Sequence, residues 1–573
     1  ILTSDTIDGD SPLGTTSRVR TANATLVLSN KNLHLAKTLL ATSENGPVDS
    51  TSTNVQIGEA VVYQLRVSVP EGVIQDLAVT DYLPEGLAFV HGSASTDVST
   101  LNGTLGTLDV SPVGSGLAAS GDAITITFSG ATTIAPDNNT NNNHFLLYLT
   151  AVVLDVPANT GLVHGAVSTF TNVATVTYPD NPRPAVTSGV VVISAKEPEL
   201  ILAKSIDLAS GDAGDTLTVT LTLTNRGLAA AYDLRIEDPV STNVLDPASL
   251  VPVLVPEGFA ATITGTTSRT MVFAPAGGSS PPNTSLEPGE SLTFSFTAVL
   301  AQQVQPGSVL TNTARLVAAD TISGTPWSGV QRTLTPAPSS VTLTVPAPSI
   351  TKTLMGTSAT GVSDTSGTNV TIGESATYRL SVTLPEGTIS NLTLIDRVPA
   401  GYAYVSGTAT VDLSAFSGTL PGSPVITAAG TNGASLTVTY PGLTVVTGDN
   451  NAANNRIDLH FALRVLDVES NDGVVPALDG DSTTALTNRG VVAWSGPSAS
   501  SVTSAPVVTA VVEPYLAGSA TAYDFQITDT FLAEQWVVAS ITGSVSAGFS
   551  MSVNRLGDRA VVTVVSARRK SAP

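Results

Sequence analysis

This sequence predicts an all-β chain of sandwich domains in series with very little helix, and three observations carry that reading. Apolar residues recur at every second position, turn-forming residues punctuate the runs, and long stretches of the chain repeat themselves. At about 100–200 residues per domain, a chain of 573 residues holds three to five domains.

The alternation is regular. Leu217, Val219, Leu221 and Leu223 are separated by Thr218, Thr220 and Thr222, the pattern of a strand with one face buried. Leu292, Phe294, Phe296 and Ala298 repeat it, as do Tyr63, Leu65, Val67 and Val69 with Gln64, Arg66 and Ser68 outward. β-branched residues suit a pleated surface, and clusters of Gly, Pro, Asn and Asp mark the turns between runs. Long segments with an apolar period of 3.6 are missing; the stretch 532–541 is the one passable helix candidate. Many short antiparallel strands with turn signals imply β-sandwiches, here with thin aliphatic cores because aromatics are only 5% of residues.

Composition narrows the function classes. Cysteine is absent, which removes disulfides, thiolate nucleophiles and zinc-thiolate sites. Lys+Arg number 24 against 46 Asp+Glu, a formal net charge of -22. Such a surface repels phosphate backbones, so no nucleic-acid partner is expected. Charged residues are 12% and hydrophobic residues 42%, a balance unlike that of disordered chains. No apolar run approaches the roughly 18–20 residues of a membrane span, and Ile1-Leu2-Thr3-Ser4-Asp5 lacks the basic and apolar regions of a signal peptide. A mature or excerpted secreted protein, extracellular or at the cell surface, is the expectation.

Internal repeats set the organisation. Lys37-Thr38-Leu39 returns as Lys352-Thr353-Leu354, Ile57-Gly58-Glu59 as Ile372-Gly373-Glu374, and Asp81 as Asp396, all at a shift of 315. After a small deletion, Leu154-Asp155-Val156 matches Leu466-Asp467-Val468. Two copies of one domain type, A, therefore occupy 31–195 and 347–511, with a second type, B, at 196–346. B features recur once more: Glu197-Pro198-Glu199-Leu200 as Glu513-Pro514-Tyr515-Leu516, and Ala231-Tyr232-Asp233-Leu234 as Ala522-Tyr523-Asp524-Phe525. The segment 512–573 is thus the opening part of an incomplete B. Residues 1–30 are a B tail, since Asp5-Thr6-Ile7 aligns with Asp320-Thr321-Ile322 at the shift of 315. The whole reads as tandem immunoglobulin-like β-sandwich domains in the order B-tail, A, B, A, B-head.

A lone tail and a lone head leave unpaired edges and uncovered apolar faces. In one reading the tail of one copy completes the head of the next by strand addition, and a head-to-tail contact that does not close makes a fibre of identical subunits. The donor residues are then Ala24, Thr25, Leu26, Val27 and Leu28, with the preceding 17–21, and the acceptor residues Phe525, Ile527, Val537 and Val538. In the other, the sequence is an excerpt of a longer covalent array.

Lys-Thr-Leu, then Ile-Gly-Glu before a Tyr-containing strand, then Asp81-Tyr82-Leu83-Pro84-Glu85-Gly86, resembles the isopeptide-forming domains of bacterial fimbrial and surface proteins. Gly214-Asp215-Thr216, the Leu-Thr strand ending Thr224-Asn225-Arg226-Gly227, and Asp238-Pro239 resemble the related conserved-repeat domain of bacterial surface proteins. The resemblance covers nearly the whole chain and implies a chemistry: an internal amide between a first-strand Lys and a last-strand Asn, assisted by a buried acid. Of the six lysines, Lys37, Lys204 and Lys352 occupy the same place in the three complete domains. Each is followed by a strand-end acid (Asp81, Asp238, Asp396), 44 residues on in the A copies and 34 in B. Each domain ends with a Thr-Asn pair, at Asn172, Asn312 and Asn488. Because B departs from the A spacing, Lys204 and Asn312 stand apart from the other two sets. The alternative roles are a snorkelling Lys, a turn-capping Asp and a polar edge Asn. The B-head has Asp529 but no matching Lys, so no bond is expected there.

Other signals are set aside. The Asn-rich loops 137–143 and 449–455 carry one carboxylate each, Asp137 and Asp449, too few for a dedicated Ca²⁺ site, and read better as ordered turns. His34, His91, His144, His164 and His460 do not recur between copies, so no metal is expected. Neither a nucleophile elbow nor a phosphate loop occurs; the expectation is a non-enzyme without cofactors. Trp327, Trp494 and Trp536 are assigned to packing. The functional expectation is a structural subunit of an extracellular bacterial filament, sheath or surface fibre that polymerises head-to-tail. A repetitive stalk of a cell-surface adhesin, contacting cell-surface or matrix components, is the alternative.

Overall fold

The computed structural model describes residues 2–4, 20–22, 32–43, 53–159, 168–179, 183–266, 268–277, 284–324, 328–358, 367–429, 431–471, 483–496, 500–512, 526–532, 549–556 and 559–566. Strands dominate, and the helical elements among these residues are short 3-10 turns, such as Thr140–Asn142 and Pro247–Ser249. Leu532, the start of the helix candidate, ends the strand Gln526–Leu532; the rest of that stretch lies outside the described residues.

In the first A module one sheet runs His34–Thr42, Ala60–Ser68, His144–Val153, Leu87–Phe89, and the facing sheet is built around Gly72–Tyr82, Ala123–Ile134 and Ser168–Thr177. The second A module repeats this with Ser349–Thr357, Ser375–Thr383, Arg456–Val465 and Tyr402–Tyr404 facing a sheet around Gly387–Arg397 and Thr483–Ser495. Register repeats as well: Lys37 lies opposite Leu65 and Lys352 opposite Leu380, with a register shift after Leu39 and after Leu354. A one-residue slip would turn each apolar set out to solvent, so the burial pattern pins the pairing.

The B module packs the sheet Leu200–Ile206, Thr216–Asn225, Ser291–Val299, Val251–Leu254 against a five-stranded sheet. That second sheet is ordered Phe259–Thr264, Thr270–Pro275, Tyr232–Pro239, Val309–Asp320, Ser339–Thr344. Leu217, Val219, Leu221 and Leu223 all face inward. The scarce aromatics are concentrated in the cores rather than replaced by aliphatics. Phe128 meets Phe145 edge-on at 5.0 Å, and Phe273 lies 4.9 Å from Phe294. Trp494 belongs to the second A core, as the packing assignment requires; Trp327 and Trp536 lie outside the described residues.

Modules meet through specific polar contacts. Between the first A and B, the Thr321 hydroxyl donates to the Ile57 carbonyl at 2.9 Å. Arg332 forks onto Asp155, at 2.6 and 2.8 Å, and onto Glu197. Gly58, at φ +93, lets the Val330 carbonyl approach so closely that a Cβ there would sit 2.3 Å from its oxygen. On the face of the second A module that meets B, Glu386 is 2% exposed and accepts from the amides of Asn450 (2.9 Å) and Asn451 (3.1 Å) of its own module. Its own amide donates to Asp212 at 2.9 Å. Burying a carboxyl group this deeply is costly unless it is hydrogen-bonded.

At the chain ends, Leu2–Ser4 pairs antiparallel with Arg20–Ala22, and Gln526–Leu532, Arg559–Ser566 and Phe549–Leu556 form a three-stranded sheet. That sheet repeats one half of the B module. A shift of 291 carries the pair Ile236↔Phe273 onto Ile527↔Val564, and Asp238↔Met271 onto Asp529↔Val562.

Candidate cross-link sites

Period-two geometry decides where the three lysines go. In His34–Thr42, Leu35 and Lys37 share the buried face, so the Lys37 chain runs into the core. Lys37, Lys204 and Lys352 have side chains 0% exposed, which rules out the snorkelling role: none of the ammonium groups reaches water.

Each lysine meets the acid expected of it. Lys37 contacts Asp81, Lys204 contacts Asp238, and Lys352 contacts Asp396. Asp81 and Asp396 are 0% exposed on the central strands Gly72–Tyr82 and Gly387–Arg397, inside the sandwich rather than capping turns. The third partner comes from a neighbouring strand that, contrary to the sequence expectation, is not the last of its module: Val191–Ala195 follows Ser168–Thr177, Ser339–Thr344 follows Val309–Asp320, and Val507–Val512 follows Thr483–Ser495. Ala174 lies opposite Asp81, which brings Asn172, 0% exposed, to the same place in the core. In the second A module the Asn488 amide donates to Asp396 at 3.2 Å. In B, where the spacing differed, Lys204 reaches Asn312 Oδ1 directly while Asn312 Nδ2 donates to Asp238 at 2.9 Å and to the Pro239 carbonyl at 3.1 Å. A shorter separation from Lys to Asp has been absorbed without loss of the three-residue arrangement.

Aromatic rings line the A sites. The Lys37 ammonium lies 4.4 Å from the Tyr63 ring centroid, and Lys352 lies 4.6 Å from Tyr378 and 4.9 Å from Phe461. Burial pushes the Lys37 and Lys352 amines down to about 8, against the opposing pull of Asp81 and Asp396. Lys204 is lowered for the same reason. Burial raises Asp81, Asp238 and Asp396, while the neighbouring Lys and Asn side chains act the other way. Desolvation thus favours the neutral amine and the neutral acid together.

That pairing suits amide exchange. A neutral Nζ is a nucleophile, and a protonated carboxyl can polarise the Asn carbonyl and pass a proton to the departing nitrogen. The Nζ–Cγ bond would form, the Cγ–Nδ2 bond would break, and one ammonia would leave per site.

The other sequence candidates resolve differently. Asp137 accepts from Asn102 and Asn142 side chains at 2.7 Å each and from the Asn139 amide at 2.9 Å, which makes it the organiser of an ordered turn. Asp449 does the same for Asn451 and Asn454. Ala24, Thr25, Leu26, Val27, Leu28, Phe525, Val537 and Val538 lie outside the described residues, and Ile527 is described as backbone in the strand Gln526–Leu532. Asp412, Asp458 and His460 converge within 4.8 Å, a grouping that sequence reasoning missed because it depends on the pairing of Thr410–Asp412 with Arg456–Val465. The module junctions were missed as well, although residues that make them recur in the sequence, among them Gly58 and Gly373, and Asp155 and Asp467.

No protein-family model matches the chain, and no curated protein matches it. Similar solved structures include BspA_C_WT, at 13% identity and TM-score 0.30 over 55% of this chain and 100% of that one. BcpA, the major pilin subunit of Bacillus cereus, is similar at 13% identity and TM-score 0.23, over 60% of this chain and 74% of that one. The full-length major pilin SpaD from Corynebacterium diphtheriae is similar at 13% identity and TM-score 0.20, over 53% of this chain and 66% of that one.

Proposed function

We propose that this chain is a non-catalytic structural subunit of an extracellular bacterial filament, sheath or surface fibre, joined head-to-tail by strand complementation and stiffened by internal isopeptide bonds. The observation that carries the reading is the correspondence between the terminal sheet and the B module. In B, the strand Tyr232–Pro239 is flanked by Thr270–Pro275 on one side and Val309–Asp320 on the other. Its counterpart Gln526–Leu532 has the first neighbour, Arg559–Ser566, and among the described residues nothing on the second side. The N-terminal strand Leu2–Ser4 is the sequence counterpart of 317–319, the end of that second neighbour. Arg235↔Ala318 in B becomes Gln526↔Thr3 between copies. The residues 24–28 correspond to 339–343, which pair one strand further out, and Leu343 is 4% exposed in the B core. They therefore supply apolar cover while Leu2–Ser4 supplies the edge hydrogen bonds.

The buried Lys–Asp–Asn sets support the mechanical half of the proposal. Each bond would tie a module's first strand to the Asn-bearing strand late in its sequence, so tension along the chain would meet a covalent stop before the sandwich unravels. Electron microscopy of purified chain tests the reading: uniform polymers are expected, and short monodisperse rods would instead favour an adhesin stalk.

A further inference from the structure

The second A module carries on its outer face a group of side chains that the first replaces with others. Thr410–Asp412 pairs with Arg456–Val465, and Asp412 lies directly opposite Asp458. In the first module the same register sets Asp97 opposite Leu146, and Tyr148 stands where His460 does. Asp97 and Asp412 share one role, since each accepts from the amide two residues on, Ser99 at 2.9 Å and Ser414 at 2.8 Å. The repeat therefore accounts for Asp412 and leaves Asp458 and His460 to be explained.

Placing an acid at 458 is costly. Carboxylates directly opposite one another in a ladder repel, and Asp458 is only 5% exposed. Arg456 approaches Asp458 Oδ2 at 3.3 Å, but Oδ1 is buried and has no hydrogen-bond partner among the described residues. A buried carboxylate oxygen without a donor is expensive to keep. His460 lies two residues along the same strand and so on the same face. One ligand atom from each of Asp412, Asp458 and His460 lies within 4.8 Å of the other two.

Two arginines narrow what could sit there. Arg456 shares the face with Asp458, and Arg379, opposite His460 in the next strand, shares it as well. Two acids beside two arginines leave little net charge, which suits neither Ca²⁺ nor Mg²⁺, ions held mainly by charged oxygen ligands. One imidazole with two carboxylates suits a first-row transition ion instead, bound through directed bonds with a fourth position open.

We propose that Asp412, Asp458 and His460 bind a divalent first-row transition ion, with Zn²⁺ as the type case, on the outer face of the second A module. The buried Asp458 Oδ1 anchors the ion, the His460 imidazole selects it, and the exposed Asp412 closes over it from a short strand. Ligand atoms about 2.0–2.1 Å from a tetrahedral zinc stand about 3.3 Å apart, so the three side chains draw together slightly on binding. The bound ion fastens the three-residue strand Thr410–Asp412 to Arg456–Val465, where the first module has Leu146 and Tyr148.

Equilibrium dialysis of the full chain against Zn²⁺ tests the proposal, with calorimetric melting as a second readout. His460→Tyr and Asp458→Leu each install the residue that the first module uses at the same register, so both variants should fold. Each should bind this ion about 100-fold more weakly than the wild type, because changes even to the outer partners of a metal cost about 10–100-fold. Zn²⁺ should raise one melting transition of the wild type and leave it unmoved in both variants, and excess Ca²⁺ should not displace the bound Zn²⁺. Zn²⁺ affinity equal in the wild type and either variant, or displacement by Ca²⁺, would overturn the site.

Discussion

The amide nitrogen of Asn488 lies 3.2 Å from one carboxylate oxygen of Asp396, and Lys352 holds the other oxygen. A carboxyl between an amine and a carboxamide, all three buried, is an arrangement with little structural rationale. An unbridged buried ion pair gives weak stability for its desolvation, whereas the same three groups poised for amide exchange use that desolvation to set protonation.

Intact mass is the direct test of this chemistry. Each closed bond removes one ammonia, so bonds at Lys37, Lys204 and Lys352 leave the chain three ammonias light. Asp396→Ala should restore one of them and lower the melting temperature of its module. Leaving Lys352 buried without its acid partner adds to the effect of the lost cross-link. A wild-type chain of full mass would sink the bond and leave the fold untouched.

The junction between B and the second A module should be pH-sensitive. Burial, opposed by the Glu386 amide and reinforced by Asp215 and Glu386, pushes Asp212 up to about 6. A carboxyl raised on folding favours the docked state while it is protonated, and that contribution is lost as pH rises from its ordinary range near 4 through about 6. Hydrogen exchange at the Glu386 amide, which donates to Asp212, should therefore reveal more frequent opening at pH 7.5 than at pH 5 after correction for intrinsic rate. Asp212→Asn should flatten that difference; a difference that persists would assign the effect elsewhere.

Period two was enough to read the strands, but the inward course of Lys37, Lys204 and Lys352 was only implied by the resemblance, and it is their fully buried side chains that exclude snorkelling. The Asn partners were legible as well, since Thr171-Asn172 and Thr487-Asn488 recur at matching places in the copies. What escaped was everything made by loops from different modules. Thr321 and Ile57 are 264 residues apart, and neither sits in a periodic run that would betray the contact.

Core truncation should act module by module. Phe294 is 1% exposed in the B core and packs against Phe259 and Phe273 at 5.3 and 4.9 Å. Phe294→Ala should cost about 3–5 kcal/mol. Because among the described residues the A and B cores are separate buried clusters, with the half-buried Val330 of B touching the first A core, calorimetry should show one transition moving down while the A transitions hold. A single shifted transition for the whole chain would mean that the junctions couple all modules into one cooperative unit.

Deleting residues 1–30 is the sharpest test of assembly. Among the described residues the central A–B–A modules make their cores and junctions from residues 33–511, so they are expected to fold without the deleted segment. What the deletion removes is the counterpart of the end of Val309–Asp320 and of Ser339–Thr344, the two strands that complete the B sheet beyond Tyr232–Pro239. The terminal sheet then keeps its Gln526–Leu532 edge open in every copy, with no strand in solution of matching register to close it. The truncated chain should retain the strand-rich far-ultraviolet spectrum and the thermal transitions of the central modules, yet form no polymers. Adding a synthetic peptide of residues 1–30 should bind the truncated chain and still leave it monomeric, because a free tail brings no second head with it. Polymers from the truncated chain would show that the subunits join by some other surface.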